Sequence, residues 1–472
     1  MNRRMPSPQA AKAQQLYAQG VAQHRAGNLA DAQARYRQVL ALMPGQPDAL
    51  HMLGVTEFQQ RRYDEAARLL SEASVLMPAS ELVHFNLGNA LREQRKLDDA
   101  AQAFRKSVGL NPRNLEALKN LGNVLKEQNL MSEAIACYDR VLAAEPQHVP
   151  TLYNKSIALL TQGRLAEGWA LYDYRSQFDA VPPDLAIATD DSLPDWRGEL
   201  PDRPLLVLPE QGLGDQIFYG AMLADLQAAG VASHTLLDAR LLPLFRRSFP
   251  ALAFAPGGES GPATPPAGAF GAKIRMASMG RFLRSDAAGL SRIQAPYLLA
   301  DSDASARLRA KIAQPGRLVC GLTWSSKNAE TGSLKSLPLS TLQPVLQIPG
   351  VDFIDLQYGD TADERAALER EAGLTIRRLE AIDNQHDIDA LAALIDACDL
   401  VITVSNSTAH LAAALGKPVV ILLAHHTPLW YWHLDSLTSP WYPTATLLRQ
   451  PAPGDWDPVV ATAAHMLGGL LR

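Results

Sequence analysis

Cysteine, net positive charge and long apolar runs are all scarce in this sequence, and each shortage excludes a class of protein. The 472 residues include only 3 cysteines, which lie far apart and form no Cys-x-x-Cys pair. We therefore expect no zinc framework and no disulfide-stapled fold, but a reducing compartment such as the cytoplasm. The formal net charge of −5 argues against a nucleic-acid or anionic membrane surface. No apolar run is long enough to predict a membrane span, and the basic N-terminal residues precede no signal-peptide core.

The first third of the chain repeats itself every 34 residues. Glycine, alanine, proline and a bulky side chain each recur at one position of the period: Gly20, Gly54, Gly88 and Gly122; Ala32, Ala66, Ala100 and Ala134; Pro44, Pro78, Pro112 and Pro146; Tyr36, Leu70, Phe104, Tyr138 and Tyr172. Small residues let two helices pack closely, and the proline ends the second helix. The pattern resembles the tetratricopeptide repeat, which implies an α-solenoid of helix pairs.

Four repeats are clear between residues 13 and 148, after a flexible N-terminus at residues 1–12. A fifth, at residues 149–182, is degenerate, because Ser156 and Gly168 replace the glycine and the alanine and Ala180 replaces the closing proline. We therefore predict a repeat array over residues 13–182, in which the last repeat adapts the solenoid to the next domain.

Three asparagines share one position of the period, two residues before the glycine: Asn86, Asn120 and Asn154. The first helices of such repeats line a concave groove, so this ladder could hydrogen-bond the backbone of an extended peptide. It resembles the groove of O-linked N-acetylglucosamine transferase, which implies an acceptor protein or peptide as partner. The alternative is that the asparagines only solvate the groove, and the sequence does not choose between the two.

After an Asp- and Pro-rich linker at residues 183–203, the apolar run Leu205–Leu208 meets a turn and then a helical pattern. Strand, glycine turn and helix form the first unit of a Rossmann-like sheet, whose ligands meet the carboxyl ends of strands. A second strand is predicted at residues 234–237, and residues 255–269 are predicted to form a surface loop. Residues 204–300 are thus the predicted first Rossmann-like domain, on the acceptor side.

The turn that follows the first strand is acidic, and its residues are the predicted acceptor-side turn: Glu210, Gln211, Gly212, Gly214 and Asp215. It lacks the Gly-Lys-Ser/Thr ending of a phosphate-binding loop, and Ile217 occupies the third glycine position of the dinucleotide fingerprint. A carboxylate held at a helix start suits removal of a proton from a substrate hydroxyl, so Asp215 is the candidate general base. The alternative is that Asp215 only caps the helix, and this segment taken alone favours the cap.

Residues 301–472 alternate apolar runs with helical patterns, which predicts a second parallel sheet. The predicted strands are residues 317–324, 351–357, 374–378, 400–404 and 419–423. The predicted helices are residues 340–346, 362–372 and 388–397, and one that runs from residue 405 through Leu415 with Gly416 as its C-cap.

Polar residues follow the strand at 400–404 and begin a short helix: Ser405, Asn406, Ser407 and Thr408. A helix N-terminus offers free N–H groups to an anion, and His410 in the first turn could add a donor to a phosphate. Lys335, and with weaker support Lys327, lie in the loop after the strand at 317–324, at the same sheet edge. Their convergence predicts a diphosphate site, although plain N-capping, a local hydrogen bond of the histidine and a solvated loop are the simpler roles.

Two Rossmann-like halves, one with an acidic glycine turn and one with an anion site, resemble a GT-B glycosyltransferase. Gly214-Asp215 and the segment His410–Leu415 are similar to motifs of the heptosyltransferase family, which implies a general base at Asp215 and a donor diphosphate beside His410. The resemblance also places Lys335 against phosphate and Asp360 near the donor ribose. Residues 210–215, 410–418 and 441–443 are similar to segments of a bacterial group of tetratricopeptide glycosyltransferases.

With this resemblance, we expect inverting sugar transfer from a nucleotide-sugar to a hydroxyl. No metal or further cofactor is expected, because the helix end and Lys335 supply the positive charge. The Asp-x-Asp pairs are accordingly predicted to be helix caps or loop residues: Asp301/Asp303, Asp387/Asp389 and Asp455/Asp457. Two alternatives stay open. Ser405-Asn406 stands where heptosyltransferases have Asp-Thr, which favours a non-catalytic scaffold with a degenerate GT-B domain. The other alternative is a glycosyltransferase that acts on a lipid or polysaccharide.

Overall fold

The computed structural model describes residues 7–178, 193–257, 268–293, 295–328, 331–426, 429–434 and 436–471. Residues 1–6 of the predicted N-terminus, 179–182 of the fifth repeat, 183–192 of the predicted linker and 258–267 of the predicted loop lie outside the described residues. The contacts of the chain divide it into two compact units, Met1–Ala158 and Leu159–Arg472.

The first unit is built from helix pairs. Its helices are α1 Pro8–Arg25, α2 Leu29–Leu42, α3 Pro47–Gln59, α4 Tyr63–Leu76, α5 Glu81–Glu93, α6 Leu97–Leu110, α7 Leu115–Glu127, α8 Met131–Ala144 and α9 Val149–Thr161, which continues past Ala158. A polar side chain caps the first helix of a pair, as where Ser7 accepts from the Ala10 amide and Asn114 from the Ala117 amide. The succession of helix pairs confirms the predicted solenoid.

Close contact between a glycine of the first helix and the bulky residue of the second explains the repeat. A Cβ atom on Gly54 would lie 2.7 Å from Leu70 Cγ, and one on Gly122 would lie 2.6 Å from Tyr138 Cε1. Real side chains do not tolerate such distances, so only glycine lets the pair close over the fully buried Leu70 and Tyr138.

The second unit contains parallel sheets with helices between the strands. One sheet has the order β3-β2-β1-β4 and the other β6-β5-β7-β8-β9. The strands are β1 Leu205–Leu208, β2 Ser233–Leu237, β3 Ala253–Pro256, β4 Ala272–Arg275, β5 Leu318–Leu322, β6 Val351–Asp355, β7 Leu400–Val404, β8 Val419–Leu423 and β9 Ala445–Arg449. Continuous apolar strands such as β7 and β8 are buried throughout, as expected for parallel sheets covered on both faces.

The helices of this unit lie mostly between strands. They are α10 Leu165–Tyr172, α11 Arg175–Phe178, α12 Leu213–Gly220, α13 Leu223–Ala228, α14 Leu242–Ser248, α15 Gly280–Leu283, α16 Ala287–Ser291, α17 Ser302–Ile312, α18 Gly332–Lys335, α19 Gln343–Leu346, α20 Ala362–Ala372, α21 Ile388–Ala397, α22 Ser407–Ala414 and α23 Asp457–Gly469. Short 3₁₀ turns occur at Ala239–Leu241, Met276–Met279, Leu339–Leu342 and Trp430–Trp432. This α/β architecture is compatible with Rossmann-like domains.

Each sheet reverses its direction of strand addition at one place. In the first sheet the reversal lies between β1 and β4, and in the second it lies between β5 and β7. The crevice outside the carboxyl ends of strands at such a switch point is where ligands bind in open α/β sheets. The candidate site residues follow β1, β5 and β7, and they therefore lie at the two switch points.

Helix α10 of the degenerate repeat packs against the first sheet's domain within the second unit. Trp169 Nε1 donates to the Arg284 carbonyl at 3.0 Å, and the ring leaves no space for a side chain at Gly280. The Tyr172 and Tyr219 hydroxyls are 2.9 Å apart. The small residue of this repeat now lies in the second helix, since a Cβ on Gly168 would meet Leu160 Cγ at 2.6 Å.

Several predicted elements need correction. Residues 374–378 form an isolated bridge, Ile354 with Arg377, instead of a strand, because Arg378 turns to the buried Asp355 and to the Gln357 carbonyl. The predicted helix at 340–346 is a 3₁₀ turn followed by α19, and Pro344 lies at the start of that helix. Residues 8–12, predicted as part of a flexible N-terminus, begin α1. Residues 255 and 256, predicted as loop, belong to β3, and β3, β4, β9 and α23 were not predicted.

Candidate active site

The turn after β1 places Asp215 in the first turn of α12, where it is not the helix cap. Gly212 occupies the N-cap position and Asp215 is the third helical residue. Glu210 instead fixes the turn, because its Oε1 accepts from the Ala277 amide at 2.9 Å and from Arg175 Nη2 at 3.0 Å. Gln211 is exposed. The capping role that the segment alone favoured is therefore wrong, and the Asp215 carboxylate is left for other partners.

The segment after β7 begins α22 with Asn406 as its cap, in place of the predicted Ser407 and Thr408. The Asn406 Oδ1 accepts from the amides of Thr408 at 3.0 Å and Ala409 at 3.3 Å. Its Nδ2 donates to Thr323 Oγ1 at 3.0 Å and to the Ser325 carbonyl at 3.1 Å, which joins the ends of β7 and β5. The Thr408 amide is thus already occupied, and it is not one of the free donors that the sequence suggested.

The neighbouring hydroxyl residues have separate surroundings. Ser405 Oγ accepts from Trp432 Nε1 at 2.8 Å, so it anchors the aromatic turn Trp430–Trp432. Thr408 Oγ1 is buried, and within the part of the chain that the structure describes it has no hydrogen-bond partner. Ser407 is half-buried, and its Cα would lie 3.6 Å from a Cβ on Gly214.

Gly214 is the point where α12 and α22 meet. A Cβ there would lie 3.1 Å from His410 Cδ2 and 3.7 Å from His410 Nε2. The absence of a side chain at Gly214 thus permits the imidazole to approach the acidic turn directly. His410 is 3% exposed and stacks on Trp432 with ring centroids 5.0 Å apart.

A chain of hydroxyl groups fixes the proton of His410. The Tyr297 hydroxyl donates to the Ile217 carbonyl at 2.9 Å and receives a hydrogen bond from Tyr442. The single hydroxyl proton of Tyr442 is therefore used, so its oxygen accepts from His410 Nδ1, 2.9 Å away. This assigns the proton to Nδ1 and leaves Nε2 with a lone pair. The role of His410 as a donor to a phosphate stays a prediction.

Electrostatics connect Asp215, Lys335 and His410. Burial, with a contribution from the Glu210 charge, raises the pKa of Asp215 to about 6. The charges of Lys335 and Arg175 and a hydrogen bond from Tyr431 oppose this rise. Burial lowers the pKa of Lys335, and Asp215 opposes that shift. Burial and the Lys335 charge together lower the pKa of His410 to about 3, so its imidazole is neutral at physiological pH. The structure therefore brings together a carboxylate, a buried ammonium and a neutral imidazole.

Two predicted residues lie elsewhere. Asp360 is exposed after β6, and its Oδ1 accepts from the Ala362 amide at 2.9 Å. Lys327 lies over the Tyr358 ring, 6.0 Å from its centroid. Neither is among the groups that influence Asp215.

Aromatic residues surround this cluster, and none of them was among the predicted site residues, although residues 441–443 belong to a segment of the family resemblance. Tyr431 donates to Asp215, and Phe218 of α12 packs on the Tyr431 ring at a centroid distance of 4.4 Å. Trp430, Trp441 and Tyr442 complete the enclosure. The density of aromatic residues at 430–442 was the available signal.

The three asparagines of the ladder lie on successive first helices of the repeats, but each already forms hydrogen bonds within the chain. Asn86 Nδ2 lies 2.8 Å from His51 Nε2, and Asn120 Nδ2 donates to Asn89 Oδ1 at 2.9 Å. Asn154 accepts from Lys126 and donates to the Pro150 carbonyl. These bonds connect successive first helices, so a peptide backbone would have to share or displace them.

Neither a metal cluster nor a membrane-spanning helix occurs in the described parts of the chain. Across the described residues, no group of three or more His, Cys, Asp or Glu side chains is arranged to hold a metal ion. Asp301 and Asp387 cap α17 and α21, as predicted for the Asp-x-Asp pairs. No helix in the described parts of the chain has both the length and the apolar character that a bilayer crossing requires.

Parts of the chain match known protein families. Tetratricopeptide repeat models match residues 23–84, 85–149 and 125–175, and the glycosyltransferase family 9 (heptosyltransferase) model matches residues 356–452. Protein FlbA of Caulobacter vibrioides is 35% identical over 289 residues, which cover 58% of this chain and 48% of FlbA. The chain thus spans about half the length of this curated relative.

Similar solved structures cover only part of the chain. MamA is 22% identical, with 34% of this chain and 92% of MamA covered and a TM-score of 0.32. YrrB, described as a TPR protein with an unusual peptide-binding site, is 19% identical, with 35% of this chain and 84% of YrrB covered and a TM-score of 0.33. From the family matches, the chain combines tetratricopeptide repeats with a glycosyltransferase family 9 (heptosyltransferase) domain.

Proposed function

We propose that this protein is a GT-B glycosyltransferase that moves a sugar from a nucleotide-sugar to a hydroxyl of an acceptor protein recruited by the repeats. The observation that carries the proposal is the position of Asp215. It lies in the first turn of α12, next to Gly214, where α12 meets α22, and the Lys335 charge and a hydrogen bond from Tyr431 both lower its pKa. A carboxylate with a pKa of about 6 is a suitable base near neutral pH.

The proposed reaction is a single displacement with inversion. Asp215 takes the proton of the acceptor hydroxyl, and the hydroxyl oxygen forms a bond to the anomeric carbon. The bond from that carbon to the diphosphate oxygen breaks, and the nucleoside diphosphate leaves with the bonding electrons. Lys335 and the Ser407 amide at the start of α22 stabilise the developing negative charge. With the Nδ1–H tautomer, His410 accepts through Nε2 and so serves to orient Lys335 or the acceptor.

We propose that the transfer needs no metal, because the Lys335 ammonium and the α22 N-terminus supply positive charge where the diphosphate would lie. Activity should then persist in EDTA, and its loss on chelation with rescue by Mg²⁺ or Mn²⁺ would overturn this part.

The described cysteines Cys137, Cys320 and Cys398 are free and buried, which supports a reducing compartment such as the cytoplasm.

The first experiment is a thermal-shift panel of UDP, GDP, ADP, CMP and dTDP with their common sugars. Binding at 100-fold over Kd adds about 2.7 kcal/mol to the free energy of unfolding. A shift with one nucleotide that is lost in Lys335→Ala and kept in Lys311→Ala, an exposed lysine of α17 used as the control, would support the donor site. No shift with any nucleotide would favour a non-catalytic scaffold.

The scaffold is the second candidate because Asn406 has a structural use. It joins the ends of β5 and β7 and caps α22, so Ser405-Asn406 can be explained without a donor sugar. A glycosyltransferase acting on a lipid or polysaccharide is a third possibility. An acceptor that the full-length protein still glycosylates after protease treatment would favour it over a protein acceptor.

A further inference from the structure

A cavity of about 710 Å³ opens at the switch point of the first sheet. Leu208 at the end of β1 and Ile274 and Arg275 at the end of β4 form its floor. Its other walls come from the start of α11, the segment 195–197 and the residues around α15. The volume is that of small-molecule sites, and the crevice between two neighbouring strands at a reversal is where such sheets bind ligands.

The charge of this cavity is opposite to that of the whole protein. Five cationic side chains line it, Arg175, Arg197, Lys273, Arg275 and Arg281, against the two carboxylates Asp173 and Asp195. The chain as a whole carries a formal charge of −5. A local excess of positive charge in a concave site focuses the field and attracts anions.

The four arginines of the cavity fall into two groups. Arg175 is 10% exposed, and it is engaged by Asp173 and Glu210, both at 3.0 Å. In contrast, Arg197, Arg275 and Arg281 have no ion-pair partner among the residues that the structure describes. Guanidinium groups present forked donors that match a carboxylate or a phosphate. The second group is therefore available to an anion from outside the chain.

The cavity is connected to the candidate base through Arg175. This side chain lines the cavity and also donates to Glu210 Oε1, which fixes the turn before Asp215. Burial raises the pKa of Asp215, and the Arg175 charge is among the influences that oppose this rise. The cavity and the turn before Asp215 therefore share the side chain of Arg175. Trp196 and Phe282, whose rings are 5.2 Å apart, supply an apolar wall for the carbon skeleton of a bound molecule.

We propose that this cavity binds an anionic group of the acceptor, a carboxylate or a phosphate, and so aligns the acceptor hydroxyl with Asp215. The proposal rests on the proposed glycosyl transfer for the role of Asp215, but the anion site can be tested without any transfer. The two sources of negative charge are acidic residues of an acceptor polypeptide and a phosphoryl group.

The test is calorimetric titration of the full-length protein with hexaglutamate and with inorganic phosphate at low ionic strength, and with hexalysine as the charge-reversed control. Arg275→Gln and Arg281→Gln should each raise the Kd of the preferred anion about tenfold, the usual loss for one charge-assisted contact. Arg370→Gln, an exposed arginine of α20, should leave it unchanged. Tighter binding of hexaglutamate would identify an acidic polypeptide, and tighter binding of phosphate would identify a phosphoryl group.

Three outcomes would overturn the proposal. These are no saturable binding of either anion, equal weakening by Arg370→Gln, and loss of anion binding in Lys335→Ala with retention in Arg275→Gln, which would place the anion at the donor site. The nucleotide thermal shift separates this proposal from the proposed function. An Arg275→Gln variant that binds nucleotide but no anion would support the anion site in the cavity. Anion binding by a wild-type protein whose melting temperature shifts with no nucleotide would support the anion site but contradict the proposed glycosyl transfer.

Discussion

Single residues in the candidate site derive their chemistry from burial. Asp215, Lys335 and His410 are ordinary side chains whose ionisation is shifted because water is excluded and because they act on one another. Desolvation disfavours the charged form of each group, and the opposite charges of Asp215 and Lys335 partly restore it. The predictions at this scale therefore concern protons.

The rate of transfer should depend on pH through Asp215. Only the ionised carboxylate can accept a proton, so kcat/KM should rise with pH through a midpoint near 6. Lys335 lowers the pKa of Asp215, so Lys335→Met should move this midpoint upwards. The measurement is a pH–rate profile of both proteins, and a midpoint near 4 in the wild type would contradict a raised pKa of the carboxylate.

Asp215→Asn should abolish catalysis without destabilising the fold. Loss of a general base costs about 10²- to 10⁴-fold in rate. The folded state raises the pKa above its unfolded value, so ionisation of Asp215 costs stability increasingly as pH rises from about 4 to about 6. The variant should therefore melt at or above the wild-type temperature at pH 7.5, with a smaller difference near pH 4. Near-full turnover in the variant would exclude the base.

The His410 tautomer is open to direct observation. Long-range ¹⁵N–¹H NMR of labelled protein, with the His410 signal assigned by comparison with His410→Gln, should show a neutral ring protonated at Nδ1 that does not titrate between pH 5 and 8. In Tyr442→Phe the acceptor of that proton is lost, so the pattern should change. Tyr358→Phe, which removes a hydroxyl bound to the Lys327 amide instead, is the matched control. An Nε2–H pattern in the wild type would refute the hydroxyl chain.

At the scale of elements, the site exists because two helix N-termini touch. Helices α12 and α22 follow β1 and β7, which belong to different sheets of the second unit. Gly214 permits the approach, and Asn406 holds the start of α22 against the end of β5. Side-chain volume at one position therefore controls the distance between the two halves of the cluster.

Gly214→Ala tests this contact. The added methyl would lie 3.1 Å from His410 Cδ2 and 3.6 Å from the Ser407 Cα, so the helices must separate by a few tenths of an ångström. We expect a loss of activity of at least tenfold, because sub-ångström misplacement of catalytic groups is costly. Gly468→Ala in α23 has its nearest neighbour at 4.0 Å and should instead stabilise the protein by about 0.5–1 kcal/mol. Unchanged activity in Gly214→Ala would show that the contact is not needed.

At the scale of the whole molecule, the two units have separate cores and, in our proposal, separate tasks. The repeats carry the asparagine ladder, and Leu159–Arg472 carries the candidate site and the basic cavity. A division of labour predicts that acceptor capture and nucleotide binding can be lost independently.

The double variant Asn86→Ala/Asn120→Ala of the full chain should capture less acceptor in a pull-down, while the nucleotide thermal shift stays at the wild-type value. Lys335→Ala should do the reverse. Asn28→Ala, which changes an exposed asparagine away from the ladder, controls for general effects. Equal loss of both functions in the ladder variant would argue for a role in stability and against recruitment.

Features that depend on local spacing could be predicted from the sequence. The 34-residue period follows from a glycine in one helix meeting a bulky residue in the next, as Gly122 meets Tyr138, and both lie within one repeat. Five elements of the second unit were predicted with the bounds that the structure has: the strands at residues 205–208, 400–404 and 419–423 and the helices at residues 362–372 and 388–397. Apolar runs and the polar residues that limit them are local signals.

Features that depend on residues far apart in the chain could be assigned only from the folded structure. It assigned the cap of α22 to Asn406, joined Asp215 to Lys335 and Tyr431, fixed the His410 proton through Tyr442, and turned residues 374–378 from a strand into a bridge held by Arg378. Burial and strand order bring these groups together from far apart in the chain. Because desolvation and hydrogen-bond direction are properties of the packed interior, only the folded chain converts an Asp, a Lys and a His into a candidate catalytic cluster.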